Sequence, residues 1–290
     1  MIVKEFENYL EENGIAPKTI ESYVSDINGF HHYLKEQGVK DERILHRFYV
    51  VSYKQKVVNE GFAVATINKK INSLQAYNFF LIEKGYMKEQ VVFLGRDRVK
   101  IASGSQKAVE VLEEDQIHRL LFYVSQKDNV AQRNELIIYL LLYTGVRVTE
   151  LCQIKLNNID FVTKHLSILG KGGKHREIPL RAEVVEKIKM YLKEERQQSK
   201  HSMSEYLLIS QRAAKLGRDA INTVLEKIGI DLKIKLYPHL FRHTFCTILI
   251  QKGVDLVTVS RLAGHHSVTT TTQFYVNTSR QDKQQAVNLL

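Results

Sequence analysis

Only three prolines and fifteen glycines punctuate 290 residues. A chain so poor in helix breakers favours long helices over a strand-and-turn fold. Its length exceeds one ordinary compact core and suits two domains. The first is expected over residues 1–93 as a helical domain of four or five helices. After Pro17, the residues Ile20, Tyr23, Val24, Ile27, Phe30 and Leu34 recur at helical spacing. Pro17 suits the first turn of that helix, where its missing N–H would have no partner. Ile67, Ile71, Leu74, Tyr77 and Leu81 repeat the stripe and end at Gly85. The aromatics in these stripes read as core rather than as base-stacking groups.

The periodicity stops over 94–109. This stretch holds Gly95, Ser103, Gly104 and Ser105 with Arg96, Arg98, Lys100 and Lys107, against the acid Asp97. It reads as a basic linker, either a solvated tether or a segment that tracks a DNA backbone. Residues 110–290 form the second expected domain. Glu113, Glu114 and Asp115 open a helix where the macrodipole favours acids. Between His165 and Leu180, Leu166 and Ile168 alternate with polar residues, Gly170-Lys171-Gly172-Gly173 supplies a turn, and Ile178 leads to Pro179. That is a β-hairpin, set in a domain that is otherwise helical. The fold class is therefore mainly α with a small β-hairpin or sheet (α+β), in two domains.

Lys plus Arg number 42 against 32 Asp plus Glu, a net charge of +10. Such an excess suits a polyanionic partner, since basic side chains at phosphates release counterions; a basic but ordinary cytosolic protein is equally consistent. No apolar run is long enough to span a bilayer, and Met1 leads directly into charged, helix-patterned sequence, so no membrane association and a cytoplasmic location are expected. Cys152 and Cys246 lie in apolar helical contexts without metal-ligand spacing, which argues against a disulfide framework.

Four groups carry candidate chemistry: Thr144-Gly145-Val146-Arg147-Val148-Thr149-Glu150-Leu151; Lys171 with Lys174 and Arg176; His239-Leu240-Phe241-Arg242-His243; and Gly264-His265-His266 followed by a threonine run and Phe274-Tyr275. Each is weak alone, but phosphoryl transfer would need them together. A phosphodiester under attack gains charge on its non-bridging oxygens, which guanidinium groups stabilise. The leaving alkoxide needs a proton from a lysine or histidine. A tyrosine hydroxyl can serve as nucleophile and split the reaction into two reversible half-steps. Two arginines, a lysine, histidines and a tyrosine complete this set with no metal or other cofactor.

The five motifs, in order, resemble those of the tyrosine recombinase (phage integrase) family over about residues 112–280, and most of all its simple two-domain transposon resolvases and Xer-type recombinases. These motifs are the first arginine motif at Thr144–Leu151, the lysine hairpin at Gly170–Leu180, His239-x-x-Arg242, Leu262-Ala263-Gly264-His265, and Thr271–Tyr275. The resemblance implies a two-domain DNA clamp. Arg147 and Arg242 would bind the scissile phosphate, Lys171 would protonate the departing 5′ oxygen, and His239 would assist proton transfer at the nucleophile. His265 would hydrogen-bond a phosphate oxygen, Tyr275 would form a 3′-phosphotyrosyl bond, and Glu150 would support the site. The interval between Gly264-His265 and Tyr275 is one residue longer than the family pattern. His266 therefore stays an alternative to His265, and Lys174 competes with Lys171.

The family also implies double-stranded DNA with an inverted-repeat core site as partner, a homotetramer on two such sites, and exchange through a Holliday junction. Resolution of transposon co-integrates or replicon dimers on the bacterial nucleoid is the expected role, with integration or excision of a mobile element as the alternative. Base readout is expected from Asn68, Lys69, Lys70 and Asn72 and from the region of Arg212 to Asn222, with Arg96, Arg98 and Lys100 on the backbone. The apolar tail Ala286, Val287, Leu289 and Leu290 would pack on its own domain or on a neighbouring subunit. The rivals are a zinc hydrolase using His239, His243, His265, His266 or Cys246, and a DNA-binding module with an inactive site. A type IB topoisomerase or hairpin telomere resolvase would share much of the chemistry.

Overall fold

The computed structural model describes residues 2–39, 41, 43, 45–100, 109–126, 130–170, 173, 175–265 and 267–272. The chain divides into two compact units, Met1–Gln106 and Lys107–Leu290.

The first unit is helical. It comprises α1 (Ile2–Glu12), α2 (Pro17–Glu36), α3 (Arg47–Asn59), α4 (Val64–Glu83) and the single turn α5 (Leu94–Asp97). Pro17 occupies the first turn of α2, and the stripes of α2 and α4 bury Ile20, Ile27, Phe30, Leu34, Ile67, Ile71, Leu74, Tyr77 and Leu81. Phe6, Tyr77 and Phe80 meet ring to ring, as do Phe30 and Tyr53. The buried aromatics of these stripes are core, and none lies open for stacking on a base.

The segment read as linker begins differently from the expectation. Asp97 is buried and accepts a guanidinium fork from Arg47. The Asn68 side chain donates to the Val99 carbonyl at 3.0 Å and accepts the Val99 N–H at 2.8 Å. Residues 94–100 thus belong to the first unit, because two buried or half-buried polar side chains satisfy their backbone and charge there.

In the second unit the order is α6 (Glu114–Ser125), α7 (Gln132–Thr144), α8 (Val148–Leu151), β1 (Ile159–Asp160), β2 (His165–Leu169), β3 (His175–Pro179), α9 (Ala182–Lys193), α10 (Arg218–Leu232), α11 (Pro238–Gln251), α12 (Leu256–Ala263) and α13 (Thr269–Thr272). After its polar first turn, helix α7 is apolar on all sides, with Leu136, Ile137, Ile138, Leu140, Leu141 and Leu142 buried, as suits a central core helix. It packs against α9 and α11.

The expected hairpin is present as β2 and β3, antiparallel, and β1 adds a third strand in the order β1-β2-β3. The register pairs Leu166 with Ile178 and Ile168 with Arg176. Side chains alternate across a sheet, so Arg176 lies on the same inward face as these buried aliphatics. The mainly helical α+β class expected from the sequence holds, and among the described residues no helix is long and apolar enough to cross a membrane.

Candidate active site

Arg147 stands at a break between two helices. Helix α7 ends in Gly145, whose φ is +59°, a left-handed conformation that suits glycine at a helix C-terminus. A Cβ at this position would also overlap the Phe245 ring of α11. The chain then turns at once into α8, with Arg147 as the residue before it. Glu150 reaches back to accept the Arg147 N–H at 2.8 Å and its Nη1 at 2.9 Å. Arg147 Nη2 donates to the Gly264 carbonyl at 2.7 Å, while 34% of the side chain stays exposed.

Arg242 enters from α11 beside the same turn. Its Nη1 donates to the Gly145 carbonyl at 2.6 Å, so Gly145 both ends α7 and orients the second arginine. The residue is only 4% exposed, and its buried Nη2 has no hydrogen-bond partner among the described residues. Desolvation, followed by the charge of Arg147, lowers its pKa to about 10. It stays cationic at neutral pH, as a donor with unmet capacity.

His265 is set by the end of α12. Asp255 caps the start of that helix by accepting the N–H groups of Val257 and Thr258 at 2.9 Å each. Gly264 closes it at φ +67°, and the His265 N–H returns to the Ser260 carbonyl at 3.0 Å. The ring Nδ1 meets Thr271 Oγ1 at 2.8 Å, and Thr271 is fully buried. Desolvation, then the charges of Arg242 and Arg147, lowers the His265 pKa to about 4. The ring is therefore neutral at pH 7.

His239 lies in the first turn of α11, after Pro238, and is exposed. Partial desolvation and the charges of Arg242 and Arg147 lower its pKa as well. It lines an open groove of about 770 Å3 together with Arg218, Asn222, Glu226, Lys233 and Lys235.

Glu150 is buried, and burial pushes its carboxyl upward. The Arg176 hydrogen bonds, the Arg147 N–H and the arginine charges outweigh that and hold it below the usual carboxylate range. Arg147, Arg242, His265 and Glu150 are thus brought together, and His239 stands within electrostatic reach of both arginines. Lys171, Lys174, His266 and Tyr275, like the tail residues Ala286, Val287, Leu289 and Leu290, lie outside the described residues.

Two residues of this cluster stand within the motifs but carry no individual role from the sequence. Arg176 forks onto Glu150, and Thr271 holds His265. The signal for Arg176 was available: it lies two residues before Ile178, in phase with the buried face of the strand. For Thr271 no local signal existed, since a run of four threonines does not say which one turns inward.

Among the described residues no group of three His, Cys, Asp or Glu side chains converges as a metal site. Cys246 is buried, and desolvation raises its thiol pKa to about 11, so it stays protonated rather than presenting a thiolate.

The candidate DNA residues of α4 divide. The Asn68 amide is committed to Val99, and Asn72 Oδ1 accepts from Arg98 Nε and Nη2 at 3.1 and 2.8 Å. Both tie the 98–99 segment to the helix. Lys69 and Lys70 lie 3.3 and 3.4 Å from the buried Asp26 carboxylate, with 48% and 17% of their side chains exposed. Arg96 lies over the Phe93 ring at 4.8 Å. Arg96, Arg98, Lys100 and Arg212 are all exposed.

Comparison with known proteins matches residues 110–282 to the phage integrase family and residues 3–85 to the phage integrase N-terminal SAM-like domain. The TnP I resolvase of Bacillus thuringiensis is 33% identical over 294 residues, spanning 100% of this chain and 99% of the relative. The chain belongs to the phage integrase family. This tyrosine recombinase is also 30% identical to the XerC of Lacticaseibacillus casei over 279 residues, with 94% and 92% of the two chains covered.

Solved structures share the fold. The XerH site-specific recombinase, in a post-cleavage complex with a palindromic difH substrate, superposes with a TM-score of 0.78 at 21% identity, covering 97% of this chain and 84% of that one. A lambda integrase dimer bound to a COC′ core site gives 0.72 at 19% identity, covering 96% and 95%. The enzyme class expected from the sequence, site-specific DNA recombination by a tyrosine recombinase, therefore holds.

Proposed function

We propose that this tyrosine recombinase cuts DNA with Tyr275, forming a 3′-phosphotyrosyl bond while the 5′ oxygen departs. The observation that carries the reading is Arg242 Nη2, a buried cationic donor with no hydrogen-bond partner among the described residues. A buried charged donor left unpaired is costly. A phosphate oxygen would complete it, and Arg147 offers its exposed edge nearby. In the tautomer whose Nδ1 accepts from Thr271 Oγ1, neutral His265 would carry its proton on Nε2 and donate it to the same phosphate. The phenolic proton of Tyr275 would pass to His239, and Lys171 would protonate the leaving 5′ oxygen. Lys174 and His266 are the substitutes should Lys171 or His265 not serve.

Duplex DNA as the partner is supported by structural neighbours bound to core sites and by the net charge of +10. An inverted-repeat site, a homotetramer joining two such sites, and exchange through a Holliday junction complete the proposal. Resolution of co-integrates or replicon dimers on the bacterial chromosome in the cytoplasm is the favoured role, given a resolvase relative matched over its whole length. Arg218 and Asn222 on α10, which line the groove with His239, are the DNA contacts proposed for this unit. The deciding experiment uses a nicked suicide substrate incubated in EDTA with wild type and Tyr275→Phe. A covalent adduct with wild type alone is expected. If a verified site is bound and no adduct forms, the nucleophile assignment falls and the binding-module reading replaces it.

A further inference from the structure

We propose that Arg176 is a positioning residue for cleavage: it holds Glu150 and the end of α12 so that Arg147 faces the phosphate. The inference rests on the proposed role of Arg147. Arg176 sits on the inward face of β3, with 11% of its side chain exposed. Its Nη1 and Nη2 donate to Glu150 Oε1 and Oε2 at 3.1 and 2.8 Å, and its Nε donates to the Leu262 carbonyl at 3.0 Å. All three guanidinium nitrogens are engaged inside the protein, so its work is done through neighbours.

Two consequences follow for Arg147. Planar carboxylate–guanidinium forks are strong and directional, and Arg176 occupies both oxygens of Glu150. Arg147 is left a single side-chain bond to that carboxylate, through Nη1. Without Arg176, Glu150 would be free to take the whole Arg147 fork and draw it away from a phosphate. The second consequence runs through Gly264. A Cβ there would lie 2.7 Å from Arg176 Nη1 and 2.9 Å from its Cζ, so the guanidinium fills the space beside Gly264. The carbonyl of that glycine accepts Arg147 Nη2 at 2.7 Å, and the next residue is His265. Arg176 therefore joins three segments: the α8 turn with Arg147, strand β3, and the end of α12 with His265.

Single-turnover cleavage of the nicked substrate by saturating protein tests this, with DNA affinity and thermal stability measured alongside. Arg176→Met should cleave about 10²-fold more slowly, the scale of a catalytic group misplaced by an ångström, while DNA affinity changes little. Arg176→Lys keeps the charge but not the fork, so it should fall between Arg176→Met and wild type.

The discriminating measurement repeats Arg176→Met in an Arg147→Lys background. Arg147 is then already displaced, so the second substitution should cost less than a further threefold. An equal loss in both backgrounds, or a loss confined to affinity or stability, would overturn the proposal, as would wild-type cleavage by Arg176→Met. Failure of wild type itself to form the Tyr275 adduct is a separate outcome, and it overturns the functional reading beneath.

Discussion

His265 is surrounded by positive charge without being charged itself. Desolvation is the first cause, followed by the guanidinium groups of Arg242 and Arg147, the His243 imidazole and Arg176, and together they bring its pKa to about 4. An unfolded chain would protonate this histidine near its ordinary 6.5. Between pH 6.5 and 4 the unfolded state then binds a proton that the folded state refuses. The stability held above 6.5 is lost as the pH falls through 4. His239 and His243, also lowered by burial and neighbouring charge, act in the same direction. Thermal melts of the DNA-free protein from neutral pH down to about 4 should fall less steeply for His265→Gln than for wild type. Superimposable profiles would remove the argument. The same imbalance makes the site receptive to an anion, because a bound phosphate offsets the charges that hold the ring neutral.

Helices, the hairpin and the motif order were legible because each is written locally. Pro17 starts α2, the 67–81 stripe is the buried face of α4, and the alternation at Leu166 and Ile168 marks β2, paired with β3. The site arginines and His265 were legible for another reason: only certain side chains can serve phosphoryl transfer, and they appear in one order. What stayed hidden depends on partners far along the chain. Asn68 and Asn72 look like base readers on an exposed helix, yet their partners are Val99 and Arg98, 31 and 26 residues away. Nothing local announces that pairing. The clamp has a measurable consequence at the level of α4. Asn68→Ala removes two hydrogen bonds worth about 1 kcal/mol each. Val99 amide exchange should then accelerate by roughly ten- to thirtyfold, while exchange within the interior of α4 stays unchanged. Unaltered Val99 exchange would mean that the clamp does not hold in solution, and Asn68 would return to the base-contact candidates.

Across the whole molecule, each unit has its own hydrophobic core, one spanning Ile2 to Val92 and the larger spanning Leu112 to Phe241. Each also presents exposed cations, Lys69, Arg96 and Arg98 in the first and Arg212 and Arg218 in the second. If both units lie on DNA, their phosphate contacts contribute independently to one salt-dependent affinity. Every phosphate neutralised on B-DNA adds about 0.9 to the slope of log affinity against log salt. Lys69→Gln and Arg218→Gln, each made in the full chain, should lower that slope by about 0.9, and the double variant by about 1.8, since distant sites add. Lys70→Gln should lower it less, because only 17% of that side chain is exposed against 48% for Lys69, both lying beside the Asp26 carboxylate. Titrations of one duplex site at several salt concentrations read all four variants against wild type. A slope that responds to Arg218 but not to Lys69 would leave the second unit alone on the DNA. The charge of the first unit would then serve solubility rather than binding.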